Sequence, residues 1–222
     1  MTRQELLEAL AARIVALSSQ RVRVAVDGSD ASGKTTLADE LVAPIEAHGR
    51  PVIRASIDGF HRPRAERYRR GATSPEGYYF DAFDYPALRE SLLLPLGPGG
   101  SGSYRRAVFD YRTDQPVDVP EEAAPPDAVL VVDGVFLLRP ELVAFWDYRI
   151  FVEVPFAVAL ERAMQRDLPL FGSAEAVRAR YTERYIPAQR LYFAAAHPQE
   201  QADALVHNAD PANPVLALRP GA

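Results

Sequence analysis

The stretch Gly28-Ser29-Asp30-Ala31-Ser32-Gly33-Lys34-Thr35 fits the phosphate-loop pattern G-x-x-x-x-G-K-[ST] in full. It constrains the fold more than any other segment, because the pattern has meaning only between a buried strand and a helix. Both flanks are there: Val22-Arg23-Val24-Ala25-Val26 reads as a buried strand, and Thr36-Leu37-Ala38-Asp39-Glu40-Leu41-Val42 as a helix. The glycines let successive backbone N–H groups turn inward around phosphate oxygens. The helix N-terminus aims the positive end of its dipole at the same anion. Lys34 is expected to reach the β/γ phosphates of ATP, and the Thr35 hydroxyl to ligate Mg²⁺. The bland alternative is a glycine turn that binds nothing. Against it, the chain has 25 Lys+Arg, and Lys34 is its only lysine. Arginine is a planar fork and lysine a compact point charge, so a chain otherwise built on arginine keeps lysine where an ammonium must sit among phosphates.

The 222 residues suit one α/β domain spanning 1–222, with a full core and a small lid. There is no cysteine, which excludes disulfides and thiolate metal sites. A net charge of -5 gives no support for a nucleic-acid partner. No apolar run approaches the roughly 18 residues of a membrane span. The opening Thr2-Arg3-Gln4-Glu5-Leu6-Leu7-Glu8 is too acidic and too helical for a signal peptide, so a cytoplasmic location is expected. Self-association into a homo-oligomer is left open.

Further along, residues 3–18 carry Leu6, Leu7, Leu10, Ile14 and Leu17 on one helical face. The helix after the phosphate loop should end near His48-Gly49, before Pro51. Val52–Ile57 reads as a second strand, completing a right-handed parallel unit whose ligands gather at the C-terminal strand ends. Asp58 therefore lies on the edge that carries the phosphate loop. There it either takes a proton from an attacking hydroxyl or caps a loop. Arg62, Arg64, Arg67, Arg69 and Arg70 form a basic run that is a solvated face or an attraction for an anionic substrate. Asp81 and Asp84 flank Phe83 within 78–85, and carboxylates there need partners or substrate hydroxyls. Residues 86–96 read as helical and 97–103 as a flexible loop. Tyr104–Arg112 and Val117–Val119 read as a hairpin around 113–116. Val129-Leu130-Val131-Val132-Asp133 is an apolar strand ending in a carboxylate expected to hold Mg²⁺, directly or through water. Strands at 149–154 and 204–207 complete a mainly parallel sheet of about five strands. The helices over 156–190 form an arginine-bearing lid. Arg162 and Arg166 share one face there and either neutralise the transferring phosphate or pair with Glu161, Asp167, Glu175 and Glu183. Asn208 stands where it could touch the nucleotide base.

Taken together, these segments resemble the uridine kinase family and its P-loop relatives, which include pantothenate kinase and phosphoribulokinase-like enzymes. The resemblance runs over most of residues 22–208. The family's phosphate loop is similar to Gly28–Thr36, its proton-accepting Asp to Asp58 within Asp58-Gly59-Phe60, and its D-A-F-D-like segment to Asp81-Ala82-Phe83-Asp84. Its hairpin segment is similar to Phe109-Asp110-Tyr111, its metal carboxylate to Asp133-Gly134, and its lid R-x-x-x-R-D to Arg162–Asp167. The resemblance implies a P-loop α/β/α fold with a hairpin excursion and a helical lid. It also implies a kinase using ATP and Mg²⁺ on the hydroxyl of a small molecule, a nucleoside first. Phe60, His61, Asp81, Asp84, Phe109, Tyr111, Asp114 and Arg180 then face the acceptor. Two positions depart from the pattern. Asp114 stands where uridine and cytidine kinases carry a pyrimidine-reading His, and His61 stands where an aromatic is expected. Other acceptors within reach are pantothenate, a sugar or a sugar phosphate. The remaining reading is a non-catalytic nucleotide-binding regulatory module. A GTPase switch would need Asn-Lys-x-Asp, for which no lysine remains.

Lys34→Ala is expected to abolish phosphate transfer and weaken ATP binding, and Lys34→Arg to fail substantially as well. Wild-type turnover in the alanine variant, measured by ADP release, would remove the kinase reading.

Overall fold

The computed structural model describes residues 1–219, so the last three residues of the expected 1–222 domain lie outside the described residues. Helix α1 (Arg3–Ala16) begins at a capping box, with Glu5 N–H donating to the Thr2 hydroxyl and Thr2 N–H to the Glu5 carboxylate. β1 (Val22–Gly28) feeds the phosphate loop, and two helices follow, α2 (Lys34–Glu40) and α3 (Val42–Ala47). The sequence pattern predicts one helix here. The break comes because Pro44 has no N–H to return to the Glu40 carbonyl. β2 (Val52–Ser56) ends in a 3₁₀ turn over Ile57–Phe60. Next come α4 (Arg64–Arg67), α5 (Pro75–Asp81) and α6 (Tyr85–Leu88), the last widening into a π-helical turn at Arg89–Leu93.

The expected hairpin is two short ladders. β3 (Ser103–Tyr104) pairs with β6 (Glu122–Ala123), and β4 (Phe109–Asp110) with β5 (Gln115–Pro116). The tight turn falls at 111–114, two residues earlier than expected, because Asp114 adopts a left-handed φ of 59°. β7 (Val129–Gly134) and β8 (Tyr148–Glu153) precede the lid helices α7 (Phe156–Arg166), α8 (Leu168–Phe171) and α9 (Ala174–Arg180). A π-helical turn at Tyr181–Tyr185 leads into α10 (Ile186–Ala196). α11 (Pro198–Gln201), β9 (Ala204–His207) and β10 (Val215–Leu218) close the described chain.

The central sheet runs β10-β9-β8-β1-β7-β2. Five strands are parallel, as expected, and β10 adds an antiparallel edge that sequence reasoning missed. Alternation along the strands sorts side chains to two cores. Val22, Val24 and Val26 of β1 join Val129 and Val131 of β7 against α1, α2 and α3. Ala25, Leu130 and Val132 face the opposite layer, with α5, α6 and α10. The result is a three-layer α/β/α fold with every parallel strand ending on one edge.

Asp27, at the end of β1, is fully buried. Its carboxylate accepts from Gly28 N–H at 2.6 Å, Leu138 N–H at 3.0 Å and the Tyr192 hydroxyl on α10. Burial pushes the carboxyl up to about 6, against the pull of those donors and of Lys34. A carboxyl raised in the folded state contributes stability that is full below its unfolded value, near 4, and lost as pH rises through about 6. Urea denaturation from pH 4 to 7 should therefore show the wild type losing about 3 kcal/mol relative to Asp27→Asn. Parallel stability curves for the two chains would contradict this assignment.

Candidate active site

The phosphate loop is braced from behind. Gly33 starts α2 in the left-handed region, at φ 90°, and a Cβ there would lie 2.7 Å from Asn208 Nδ2. That amide donates to the Ser32 carbonyl at 2.8 Å. Arg162 donates to the same carbonyl at 3.3 Å and to Asn208 O at 2.7 Å. Asn208 is buried and buttresses the loop. From the front, Asp30 accepts from the Tyr78 hydroxyl on α5 at 3.2 Å and from Gln189 Nε2 on α10 at 3.1 Å. Ala31 takes a left-handed φ of 59°, which helps turn the loop amides inward. Lys34 Nζ donates to Ser29 O at 3.2 Å. The buried Ser32 hydroxyl has no hydrogen-bond partner among the described residues, an orphan that a phosphate oxygen in the loop would satisfy.

Two hard oxygens converge beside the loop. Thr35 Oγ1 donates to Asp133 Oδ2 at 2.5 Å, and Asp133 is buried. Such donors suit Mg²⁺, which keeps several water and phosphate ligands and needs few from protein. The other Asp133 oxygen accepts from Arg54 at 2.9 Å. Among the described residues no cluster of three His, Asp or Glu side chains could hold a metal.

Asp58 stands across the cleft. The Ser56 hydroxyl accepts its N–H at 3.3 Å, and Ser56 Oγ also donates to Asp133 O at 3.3 Å. Gly59 is required where the hairpin crosses: a Cβ would meet Ala107 Cβ at 2.8 Å and Arg106 O at 3.0 Å. Gly134 serves similarly at the end of β7, where a Cβ would lie 2.4 Å from Ile57 Cγ2. The Asp58 side chain is 57% exposed, yet neighbouring protein atoms crowd around its carboxyl. That crowding pushes its carboxyl up. His61, Lys34 and Arg166 outweigh it and hold the carboxyl below its ordinary value, so it is ionised at neutral pH.

His61 Nε2 is 3.5 Å from Asp58 Oδ1, and Nδ1 is 3.1 Å from the Ala82 carbonyl. A carbonyl only accepts, so Nδ1 carries a proton, and Nε2 is the ring nitrogen that faces the Asp58 carboxylate. The ring stacks on Phe83 at 4.4 Å and tilts against Tyr111 at 4.8 Å. Arg112, also on the hairpin, lies within electrostatic reach of Asp58.

The other expected acceptor residues lie as follows. Phe60 and Phe109 are buried, Phe60 in the main core. Asp81 is buried under two arginines, Arg69 and Arg70, each at 2.7 Å. Asp84 caps α6 by accepting from Ala87 N–H. Asp114 accepts from Arg64 N–H at 2.8 Å and from Arg67 at 3.1 Å, pinning the hairpin to α4. Three of the five arginines at 62–70 are thus paired within the protein, while the Arg62 and Arg64 side chains have no ion-pair partner among the described residues. On the lid, Arg166 bonds Asp167 at 2.7 Å and the Tyr181 hydroxyl at 3.1 Å. Arg180 donates to Ala72 O at 2.7 Å, and the buried Arg184 does the same at 2.9 Å. Sequence reasoning missed Asp27, Arg54, Arg112, Tyr192 and Gln189. Only Asp27 carried a signal, an acidic residue closing an apolar strand.

A model of the Phosphoribulokinase / Uridine kinase family matches residues 23–212. A uridine kinase of Leuconostoc citreum is 26% identical over 151 residues, covering 65% of this chain and 68% of that protein. A solved structure described as a possible uridine kinase from Bacillus stearothermophilus superposes with a TM-score of 0.72 at 22% identity, covering 91% of this chain and 97% of that one. A structure described as a candidate fructose transport system kinase from Silicibacter has the same TM-score at 28% identity, covering 86% of this chain and 95% of that one. With its phosphate loop, strand-end carboxylates and arginine lid inside the matched span, the chain belongs to the phosphoribulokinase/uridine kinase family of P-loop kinases.

Proposed function

We propose that this protein transfers the γ-phosphate of ATP to a hydroxyl of a small molecule, with a nucleoside as the leading acceptor class. The observation that carries the reading is Asp58, ionised and open to the cleft, within electrostatic reach of Lys34. The acceptor oxygen forms a bond to the γ-phosphorus, the bond from that phosphorus to the bridging oxygen breaks, and ADP leaves. Asp58 takes the acceptor's proton. The loop amides and Lys34 hold the phosphates, and Arg166 on the lid offsets charge as it spreads over the transferring group. Bound Mg²⁺ would supply further charge neutralisation, with Thr35 and Asp133 beside it. A binding module without turnover has no need of an ionised carboxylate facing its phosphate site.

The nucleoside reading rests on the family resemblance and on the uridine kinases among the relatives. A second reading has its own support. Asp81, Asp84 and Asp114 are engaged by protein partners, whereas Arg112, Lys34 and Arg166, the last also paired with Asp167, lie within electrostatic reach of Asp58. That charge balance favours a compact acceptor carrying a carboxylate or phosphate, a sugar phosphate among them.

An ADP-release screen over uridine, cytidine, pantothenate, sugars and sugar phosphates separates these readings. Asp58→Asn should keep ATP affinity and lower the transfer rate by roughly 10²–10⁴ on the best acceptor. Unchanged turnover with weakened ATP binding would make Asp58 a ligand group instead. A clear preference for uridine over cytidine, retained in Asp114→Ala, would show that Asp114 has no part in base selection.

A further inference from the structure

Arg54 lies on β2, paired in register with Val131 and two residues short of the level of Asp133. Its side chain is largely buried, and every guanidinium N–H is engaged. Nη1 donates to Val131 O at 2.7 Å and to Ala55 O at 3.0 Å. Nε and Nη2 donate to Asp39 Oδ1 at 3.0 and 2.8 Å, and Nη2 also donates to Asp133 Oδ1 at 2.9 Å. Five contacts use all five donors of a guanidinium. The fork is therefore held flat and in place from β2, β7 and α2 together.

The consequence falls on Asp133. One oxygen is tied to a fixed cation and the other receives the Thr35 hydroxyl proton. With that proton turned to Asp133, the lone pairs of Thr35 Oγ1 point away from the carboxylate. Asp133 thus meets an incoming divalent ion with both oxygens already engaged and its charge partly cancelled. A cation beside the carboxylate also repels any ion that arrives without its own negative charge.

We propose that Arg54 is a positioning residue that keeps a divalent cation from binding the free protein, so that the ion enters only as its complex with the nucleotide phosphates. The proposal rests on the phosphotransfer reading above, and its test keeps the two apart. Mn²⁺ binding to the nucleotide-free chain is followed by electron paramagnetic resonance, and binding of a fluorescent ADP analogue is followed in EDTA. The wild type should bind Mn²⁺ weakly. R54Q, which removes the charge, should bind it at least roughly tenfold more tightly, and that gain should vanish when D133N is added. The ADP analogue should bind R54Q and wild type alike in EDTA. R54K keeps the charge but loses the fork, so it should stay as weak towards Mn²⁺ as wild type. Equal or weaker Mn²⁺ binding in R54Q would overturn the proposal. So would a gain in R54K, even in a preparation where R54Q does not fold. Failure of the wild type to bind the ADP analogue under any condition would count against the phosphotransfer reading itself.

Discussion

The hydrogen bond from Thr35 Oγ1 to Asp133 Oδ2 joins the first turn of α2 to the end of β7, and the geometry of the site follows from it. β1 and β7 pair so that Val26 lies beside Asp133 and Asp27 beside Gly134. The chain leaves β1 at that level, turns through the phosphate loop and returns as α2, whose second residue is Thr35. The same level is read across to β2, where Ser56 pairs with Asp133, which leaves Asp58 two residues beyond. The phosphate loop, the Thr35–Asp133 pair and Asp58 thus share one height on the sheet. A slip of one residue in β7 would send Asp133 to the opposite face.

Holding that height needs anchors that do not drift, and the chain uses arginine for them. Arg50 donates to Ser18 O, Gln20 O and Asp127 O below the sheet, gathering three connections into one fork. Arg23 and Arg149 grip Asp147 and Asp203 with paired bonds that also take in backbone N–H groups. Arg139 lies 4.3 Å over the Tyr85 ring while bonding Glu141. Each use depends on a planar fork with several fixed donors, which an ammonium lacks. The lone lysine stands instead in the phosphate loop, where its compact ammonium donates to the Ser29 carbonyl.

Much of this was legible in the sequence, and the reasons differ by element. β1, β7 and β8 are buried on both faces, so they read as apolar runs, and their terminal residues followed directly. The loop glycines and Lys34 read clearly because their pattern has few structural alternatives. The hairpin was harder, since its turn depends on a left-handed φ at Asp114, and aspartate adopts that conformation too seldom to mark the position without glycine. β10 is short and sits at an edge, where four residues after Pro214 carry little period. Partner choice was the least legible. Asp81 looked free to grip a hydroxyl until Arg69 and Arg70, more than ten residues away, closed over it. Arg54 looked like an ordinary strand residue because its role arises from the register of β2 against β7.

The acceptor side shows why such hidden pairings matter for substrate choice. A pyrimidine needs donors and acceptors at fixed positions on its edge, and a protein side chain can serve that need only with an unengaged polar atom in reach. Asp114 is bound to Arg67 and to the Arg64 N–H, which holds its carboxylate below its ordinary value; partial burial works the other way and is outweighed. It remains an anion whose charge is largely cancelled, so its repulsion of a pyrimidine oxygen is weaker than an unpaired carboxylate would give. Beside the exposed Asp58 carboxylate stand the His61 ring, packed against Phe83 and Tyr111, and the guanidinium of Arg112. Flat rings can stack on such a surface, and anions can settle on it, but it offers few directed contacts to an uncharged sugar. A surface of this kind discriminates by shape and charge more than by paired hydrogen bonds, which is the weaker way to tell apart two flat rings that differ only in an exocyclic group.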